Sequence, residues 1–227
     1  NSFGFDSNNF IGSIDQSNVL KANWNEFYIE ERLIPQMQLA HQKGLLNQSE
    51  IPDEDNMKSI CNTYFKNVKP SLLHGDLWSG NYLISDSGIP YLIDPSVYYG
   101  HSEIDIAMSK LFGGFGPEFY SEYHKIIPRD KYTEERIEIY QLYYLLVHLN
   151  LFGISYYPSV KNILKKANLK VKTFFQSKAN YFLKTILAYI LFIFIDNVKY
   201  ADFIKCYCTC CSYIGLFCGI NFMDVKN

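Results

Sequence analysis

The polar and apolar positions of this 227-residue chain change rhythm several times. Residues 1–22 are rich in Asn, Ser and Gly, with short apolar pieces at Phe3–Phe5 and Phe10–Ile14, a pattern that predicts a loop or a weak hairpin. From Asn23, a candidate N-cap, the residues Trp24, Phe27, Tyr28, Leu33, Ile34, Met37 and Leu39 recur at helical spacing up to Gly44, a candidate C′ residue. Pro35 predicts a kink in this helix or its division in two. A polar surface loop is expected over 47–56, and a second helix from about Glu54 to Asn67, stopping before Pro70. Short strands are expected at Ser71–Leu73, Tyr82–Ile84 and Ile89–Ile93, the last two joined by a turn at Asp86-Ser-Gly88. From Glu103 the pattern is helical almost to Val160, with breaks at Gly113–Pro117, Pro128 and Gly153. Glu134–Leu151 reads as the strongest amphipathic stretch, with Ile137, Tyr140, Tyr144, Leu145 and Leu149 at helical spacing.

Past residue 160 the pattern differs in kind. Lys161–Lys178 is basic and amphipathic, and Tyr181–Ile195 is strongly apolar. Its uninterrupted part, Ile186–Ile195, is ten residues, against the roughly 18–20 that a spanning helix needs. Ile204–Met223 is apolar again but carries Lys205 and most of the cysteines. Charge divides at the same place. Residues 1–160 carry 11 Lys and Arg against 20 Asp and Glu, while 161–227 carry 10 Lys against 3 Asp, with no Arg, Glu, Trp or His. The overall net charge of −2 therefore hides balances of −9 and +7. At 48 % hydrophobic residues the chain is too apolar for a disordered one, and it is not basic enough overall to suggest nucleic-acid binding by bulk charge, so no nucleic-acid partner is expected. Two regions are expected: 1–160, and a basic, apolar, Cys-rich tail over 161–227.

Three readings of the tail stand open. It is a membrane-interacting extension with its lysines near headgroups, a packed helical extension of the core, or translated non-coding sequence. The loss of Arg and Glu, with bias to Lys, Phe, Ile, Tyr and Cys, favours the third and disfavours membrane contact. Cys206, Cys208, Cys210, Cys211 and Cys218 are too cramped for paired zinc spacing, and no His follows them. Cys61 has no second cysteine to pair with in 1–160, which suits a reducing compartment and predicts a cytoplasmic location. The sequence opens at Asn1 without Met and without a basic stretch followed by an apolar run, so it reads as a processed chain or a piece of one.

The chemistry lies in Leu72-Leu-His-Gly-Asp-Leu-Trp-Ser-Gly-Asn81, followed by Tyr91-Leu-Ile-Asp-Pro95. Asp76 sits on a loop just after a predicted strand. Asn81 follows five positions later, and Asp94 ends a strand thirteen residues beyond that. This H-x-D-x-x-x-x-N spacing is that of the kinase catalytic loop, where the aspartate takes the proton of the attacking hydroxyl and the asparagine holds a metal. Asp94 stands where a second, Mg²⁺-binding aspartate would be. Mg²⁺ prefers hard oxygen ligands, so a carboxylate and an amide carbonyl suit it. Taken singly, His74 reads as a hydrogen-bonded structural residue and the Asp–Asn pair as turn chemistry; the three-part spacing carries the functional reading.

His74-Gly-Asp-Leu-Trp-Ser-Gly-Asn81, Asp94-Pro95 and Tyr98-Tyr-Gly-His-Ser-Glu-Ile-Asp-Ile-Ala-Met108 resemble the fructosamine kinase family, a branch of the aminoglycoside phosphotransferase-like kinases. Ile11-Gly-Ser-Ile-Asp-Gln-Ser-Asn18, Trp24-Asn-Glu-Phe27 with Arg32, Leu111-Phe-Gly-Gly-Phe115 and Tyr140-Gln-Leu-Tyr-Tyr-Leu-Leu-Val-His-Leu-Asn-Leu-Phe-Gly153 extend the likeness over residues 3–160. The resemblance implies an α+β fold: the mostly helical C-terminal lobe of a protein-kinase-like fold with a small catalytic-loop β-hairpin. It implies ATP and Mg²⁺ as cofactors and phosphorylation of the 3-hydroxyl of ketoamines, on glycated proteins or small molecules, with deglycation as the outcome. By resemblance Asp76 is the catalytic base, Asn81 and Asp94 are metal ligands, and Asp105 bonds the catalytic-loop backbone together with His74. Trp78 either stacks on the sugar or packs. The sequence departs from the family in lacking a phosphate-covering loop and a strand lysine for the phosphates. Gly113-Gly-Phe-Gly116 has no P-loop lysine and reads as a helix break. Weak ATP binding and little or no turnover by these 227 residues are expected; an inactive kinase-like remnant or a membrane-associated binding module is the alternative.

Overall fold

The computed structural model describes residues 2–166 and 180–187. Within them helices predominate over three two-stranded antiparallel sheets. The N-terminal stretch is the weak hairpin its composition predicts: β1 (Asn9–Ile11) pairs with β2 (Ile14–Gln16), Phe10 opposite Asp15. So short a hairpin needs outside support. The Asn9 side chain donates to the Val97 carbonyl at 2.8 Å, and Ser96 Oγ donates to the Phe10 carbonyl at 2.6 Å.

The first long helix runs through Pro35 by changing pitch. Helix α1 (Trp24–Tyr28) starts under the Asn23 side chain, which accepts from the Asn25 and Glu26 amides. A π-helical turn at Ile29–Leu33 then leads into α2 (Ile34–Gln42), with Pro35 in the first turn of α2. Proline brings no N–H, so the carbonyl one turn back loses its helical donor. That carbonyl belongs to Glu31, and Arg32 Nη1 donates to it at 2.8 Å. The Arg32 guanidinium is fully buried without a carboxylate partner among the described residues. It also bonds the Ser17 carbonyl and Asn18 Oδ1, and lies 4.0 Å from the Tyr98 ring centre.

Asp53 caps α3 (Glu54–Tyr64), which stops three residues short of the expected end. The strands β3 (Ser71–Leu73), β4 (Tyr82–Ile84) and β5 (Pro90–Leu92) lie where the pattern placed them. A further strand, β6 (Tyr98–Gly100), was not anticipated; it pairs with β3. The expected breaks at Gly113–Pro117, Pro128 and Gly153 separate α4 (Glu103–Leu111), α5 (Pro117–Ile126) and α6 (Thr133–Phe152). Helix α6 corrects one expectation. It is not amphipathic beyond its first turns, because every residue from Leu142 to Val147 is buried. It packs against both α4 and α2, so the stretch Leu142–Val147 has no solvent face to keep polar.

A helical segment over 157–166 carries Val160, Ile163 and Leu164 into the same core, past residue 160. The chain divides into two compact units, Asn1–Val171 and Lys172–Asn227. Of the second unit, residues 180–187 are described, and they are helical. Most of Ile186–Ile195, part of Lys161–Lys178, Ile204–Met223 and the five tail cysteines lie outside the described residues. Among the described residues no helix is long and apolar enough to cross a membrane.

A polar knot joins α4, α6 and α1. Arg136 donates to Glu103 through Nε at 2.6 Å and Nη2 at 2.7 Å, both side chains being buried. Trp24 Nε1 donates to Tyr140 Oη at 2.9 Å, and His101 Nδ1 lies 2.7 Å from the same hydroxyl. Burial and then the Arg136 charge depress the His101 pKa to about 3. The Glu103 carboxylate 3.8 Å away is already committed to Arg136. An unfolded histidine titrates near 6.5, so the unfolded chain binds this proton first. His101 therefore makes stability fall as pH drops from about 6.5 towards 3, by about 2 kcal/mol at pH 5 relative to pH 7. Urea unfolding of wild type and His101→Gln from pH 4 to 7 checks this: the variant should lose less stability on acidification, and parallel curves would clear His101 of the effect.

Candidate active site

The loop that leaves β3 is held from three sides. Strand pairing sets Leu73 opposite Tyr98, and beyond that pair the Ser96 amide donates to the His74 carbonyl at 2.8 Å. Gly75 follows with φ +83°, and a Cβ there would stand 2.0 Å from the Ser96 carbonyl oxygen. No side chain fits so close an approach. From α4, Asp105 accepts the His74 amide on Oδ2 at 2.8 Å and the Gly75 amide on Oδ1 at 2.9 Å. From α6, the buried Tyr144 hydroxyl donates to the Gly75 carbonyl at 2.9 Å. Burial pushes the Asp105 carboxyl up to about 6, against the pull of those two amides.

His74 adds a fourth tie. Its Nε2 lies 2.9 Å from the Ile93 carbonyl, which can only accept, and its Nδ1 receives the Asp76 amide at 3.3 Å. These partners place a ring proton on Nε2, where it donates to the Ile93 carbonyl. The imidazole thus joins the Asp76 loop to the residue before Asp94.

Asp76 is half-buried, and burial raises its pKa; the Asn81 hydrogen bond opposes the shift and the Asp94 charge adds to it. Asn81 Nδ2 donates to the Asp76 carbonyl at 2.9 Å and to Asp76 Oδ2 at 3.2 Å. Both contacts use the amide nitrogen, so Oδ1 is left as a hard oxygen donor. The β4–β5 hairpin brings the chain back beside it. Tyr82 pairs with Leu92, and one step on the Ile93 amide donates to the Asn81 carbonyl at 3.0 Å. Asp94 comes next, exposed and in the left-handed region at φ 53°, which aspartate tolerates better than most residues.

Asp76 and Trp78 also line a cleft of about 410 Å³, with Phe112, Tyr144, His148 and Phe152 among its walls. The Trp78 ring folds back over Gly80, where a Cβ would meet it at 2.4 Å, and it packs against the core. Packing and cleft lining are therefore both present at Trp78. The structure brings Asp76, Asn81 and Asp94 together and places His74 and Asp105 behind them as supports. Among the described residues no group of three or more His, Cys, Asp or Glu side chains could hold a metal. A cation here would rest on the Asn81 amide oxygen, the Asp94 carboxylate and oxygens brought by a ligand, a donor set that fits Mg²⁺.

Four site residues escaped the sequence reading. Ser96 and Tyr144 act on loop backbone, while Phe112 and His148 form a cleft wall. None carries a local signal: Tyr144 looks like one more apolar helix position until its hydroxyl is seen to reach Gly75.

Comparison with known proteins gives one answer. The profile described as fructosamine kinase matches residues 1–170. The chain is 43 % identical over 165 residues to a protein of Enterococcus faecium named a probable ketoamine kinase, covering 72 % of this chain and 60 % of that one. It is 38 % identical over 170 residues to the ketosamine-3-kinase of Mus musculus, covering 72 % and 53 %. A crystal structure from Thermobifida fusca, provisionally named a fructosamine-3-kinase, superposes with a TM-score of 0.67 at 32 % identity, over 73 % of this chain and 58 % of that one. The chain spans between about half and three fifths of the length of these relatives. Its catalytic-loop geometry and the match over residues 1–170 agree: the chain belongs to the fructosamine kinase family.

Proposed function

We propose that this chain carries the base and metal half of an ATP-dependent kinase that phosphorylates the 3-hydroxyl of protein-bound ketoamines, fructosamine or ribulosamine. The phosphorylated adduct falls off, and the protein is deglycated. Residues 1–160 would form the mostly helical C-terminal lobe of a protein-kinase-like fold, with 161–227 as a separate tail. One observation carries the reading: Asp76 opens on the cleft while Asn81, bonded to the Asp76 carboxylate, and Asp94 flank it on the hairpin. Phosphoryl transfer asks the protein mainly for an aligned nucleophile and for cations against the phosphates. Asp76 aligns the substrate hydroxyl and takes its proton, a task that a carboxylate with a raised pKa performs better. Asn81 and Asp94 would hold Mg²⁺, which when bound neutralises the phosphate oxygens. Asp105, Tyr144 and His74 keep the loop backbone in place.

A reducing compartment such as the cytoplasm suits the buried Cys61, whose thiol burial pushes up to about 12. A second reading takes the chain as an inactive kinase-like remnant acting as a binding module. Calorimetric titration with ATP, with and without Mg²⁺, separates the two. Wild type should bind nucleotide in a Mg²⁺-dependent way, and Asp94→Ala should weaken that binding by about 10- to 100-fold, the range of one charge-assisted contact. Indifference to both Mg²⁺ and the substitution would favour the binding module.

A further inference from the structure

The cleft beside Asp76 is lined almost wholly by apolar and aromatic groups, with two polar side chains of different character. The Tyr144 hydroxyl is already spent on the Gly75 carbonyl. His148 is not spent. Its Nδ1 lies 2.8 Å from the Tyr144 carbonyl, which can only accept, so Nδ1 carries the proton and donates. Nε2 then holds a lone pair, and it has no protein partner among the described residues. The ring is locked in place: Phe112 stacks on it at 4.0 Å and 24°, and Phe152 and Tyr156 lie 5.3 and 5.2 Å away. Tyr144 fixes both ends of the arrangement. Its hydroxyl holds the backbone next to Asp76, and its carbonyl holds the His148 ring one helical turn further along.

We infer that His148 is a specificity-determining residue, its Nε2 accepting a hydrogen bond from a sugar hydroxyl other than the one presented to Asp76. This rests on the ketoamine reading above and adds the residue that would read the sugar chain. Burial lowers the His148 pKa, which keeps the ring neutral and Nε2 an acceptor at neutral pH. A neutral acceptor beside an aromatic wall suits a polyol, whose C–H face packs on the rings while its hydroxyl finds the nitrogen.

The test is calorimetric binding of the ketoamine formed from glucose and propylamine, and of its 4-, 5- and 6-deoxy analogues, to the full chain. The parent ligand should bind His148→Phe about tenfold more weakly than wild type, the worth of one hydrogen bond. Phenylalanine keeps a ring against Phe112 and removes the acceptor. One deoxy analogue should bind wild type about tenfold more weakly than the parent does and be indifferent to the substitution. On the unsubstituted protein, the parent ligand should move the ¹⁵N resonance of His148 Nε2 upfield and that analogue should not, so the test survives a variant that fails to fold. Equal affinities of wild type and variant for the parent ligand overturn the assignment, as does an equal loss for all four ligands or an unmoved Nε2 resonance. If wild type binds no ketoamine, the substrate reading itself falls and takes this assignment with it.

Discussion

With this segment set in a full-length family member, Asp76→Asn is expected to lower phosphoryl transfer to a ketoamine by about 10²- to 10⁴-fold, the usual worth of a positioned general base, while leaving the fold at least as stable. The two halves of this expectation have separate causes. Asparagine keeps an oxygen for Asn81 Nδ2, now 3.2 Å from the aspartate, so the local geometry survives. It cannot take a proton from the substrate hydroxyl. For stability the sign runs the other way. Burial and the nearby Asp94 charge raise the Asp76 pKa above its unfolded value. The ionised carboxylate therefore costs the folded state stability above that pKa, and a neutral side chain removes the cost. Single-turnover transfer of labelled phosphate and thermal unfolding of the same preparation check both. Transfer within tenfold of wild type would remove Asp76 from the role of base. A large fall in Tm would turn it into a structural residue.

The local features of this fold were legible because short-range physics decides them. Asn23 caps a helix where it precedes an apolar-periodic run, and Gly113–Pro117 breaks one. The geometry of the candidate loop was legible for the same reason: its spacing is counted in single residues, and the hairpin that returns Asp94 to Asn81 turns within Ser85–Ile89. What the sequence hid comes from distant partners. Strand β6 is three residues long and becomes a strand only by meeting Ser71–Leu73. Leu142–Val147 was read for its apolar spacing, but whether a helix keeps a wet face depends on what packs against it. Arg32 shows the same limit. A lone arginine in a helix reads as solvated, yet here the π turn at Pro35, the Ser17 carbonyl and the Tyr98 ring together supply a buried seat. The roles of Tyr144 and His148 are written in hydroxyl, carbonyl and ring positions that no periodicity encodes.

Breaking the Arg136–Glu103 pair should give the largest loss of stability. Arg136→Met is expected to cost about 3–5 kcal/mol, since it leaves a buried carboxylate without its cation. The guanidinium makes two bonds to Glu103, and its further contact to Asp130 lies near the surface and contributes little. Replacing both members, Glu103→Leu with Arg136→Met, should recover most of the loss, because the penalty lies in the unpaired charge and not in the missing attraction. The consequence reaches the candidate site through α4. Glu103 and Asp105 share the first turn of that helix, so the anchor between α4 and α6 also sets where Asp105 meets the His74 and Gly75 amides. Hydrogen exchange at those two amides should quicken in Arg136→Met and return towards wild type in the double variant. Asp76→Asn, which leaves the anchor alone, should not quicken it. Urea unfolding and amide exchange on the three variants decide the matter: a single-variant cost below about 1 kcal/mol would mean that the carboxylate finds water or another cation. A slow His74 and Gly75 exchange in Arg136→Met would mean that Tyr144 and Ser96 hold the loop without help from α4.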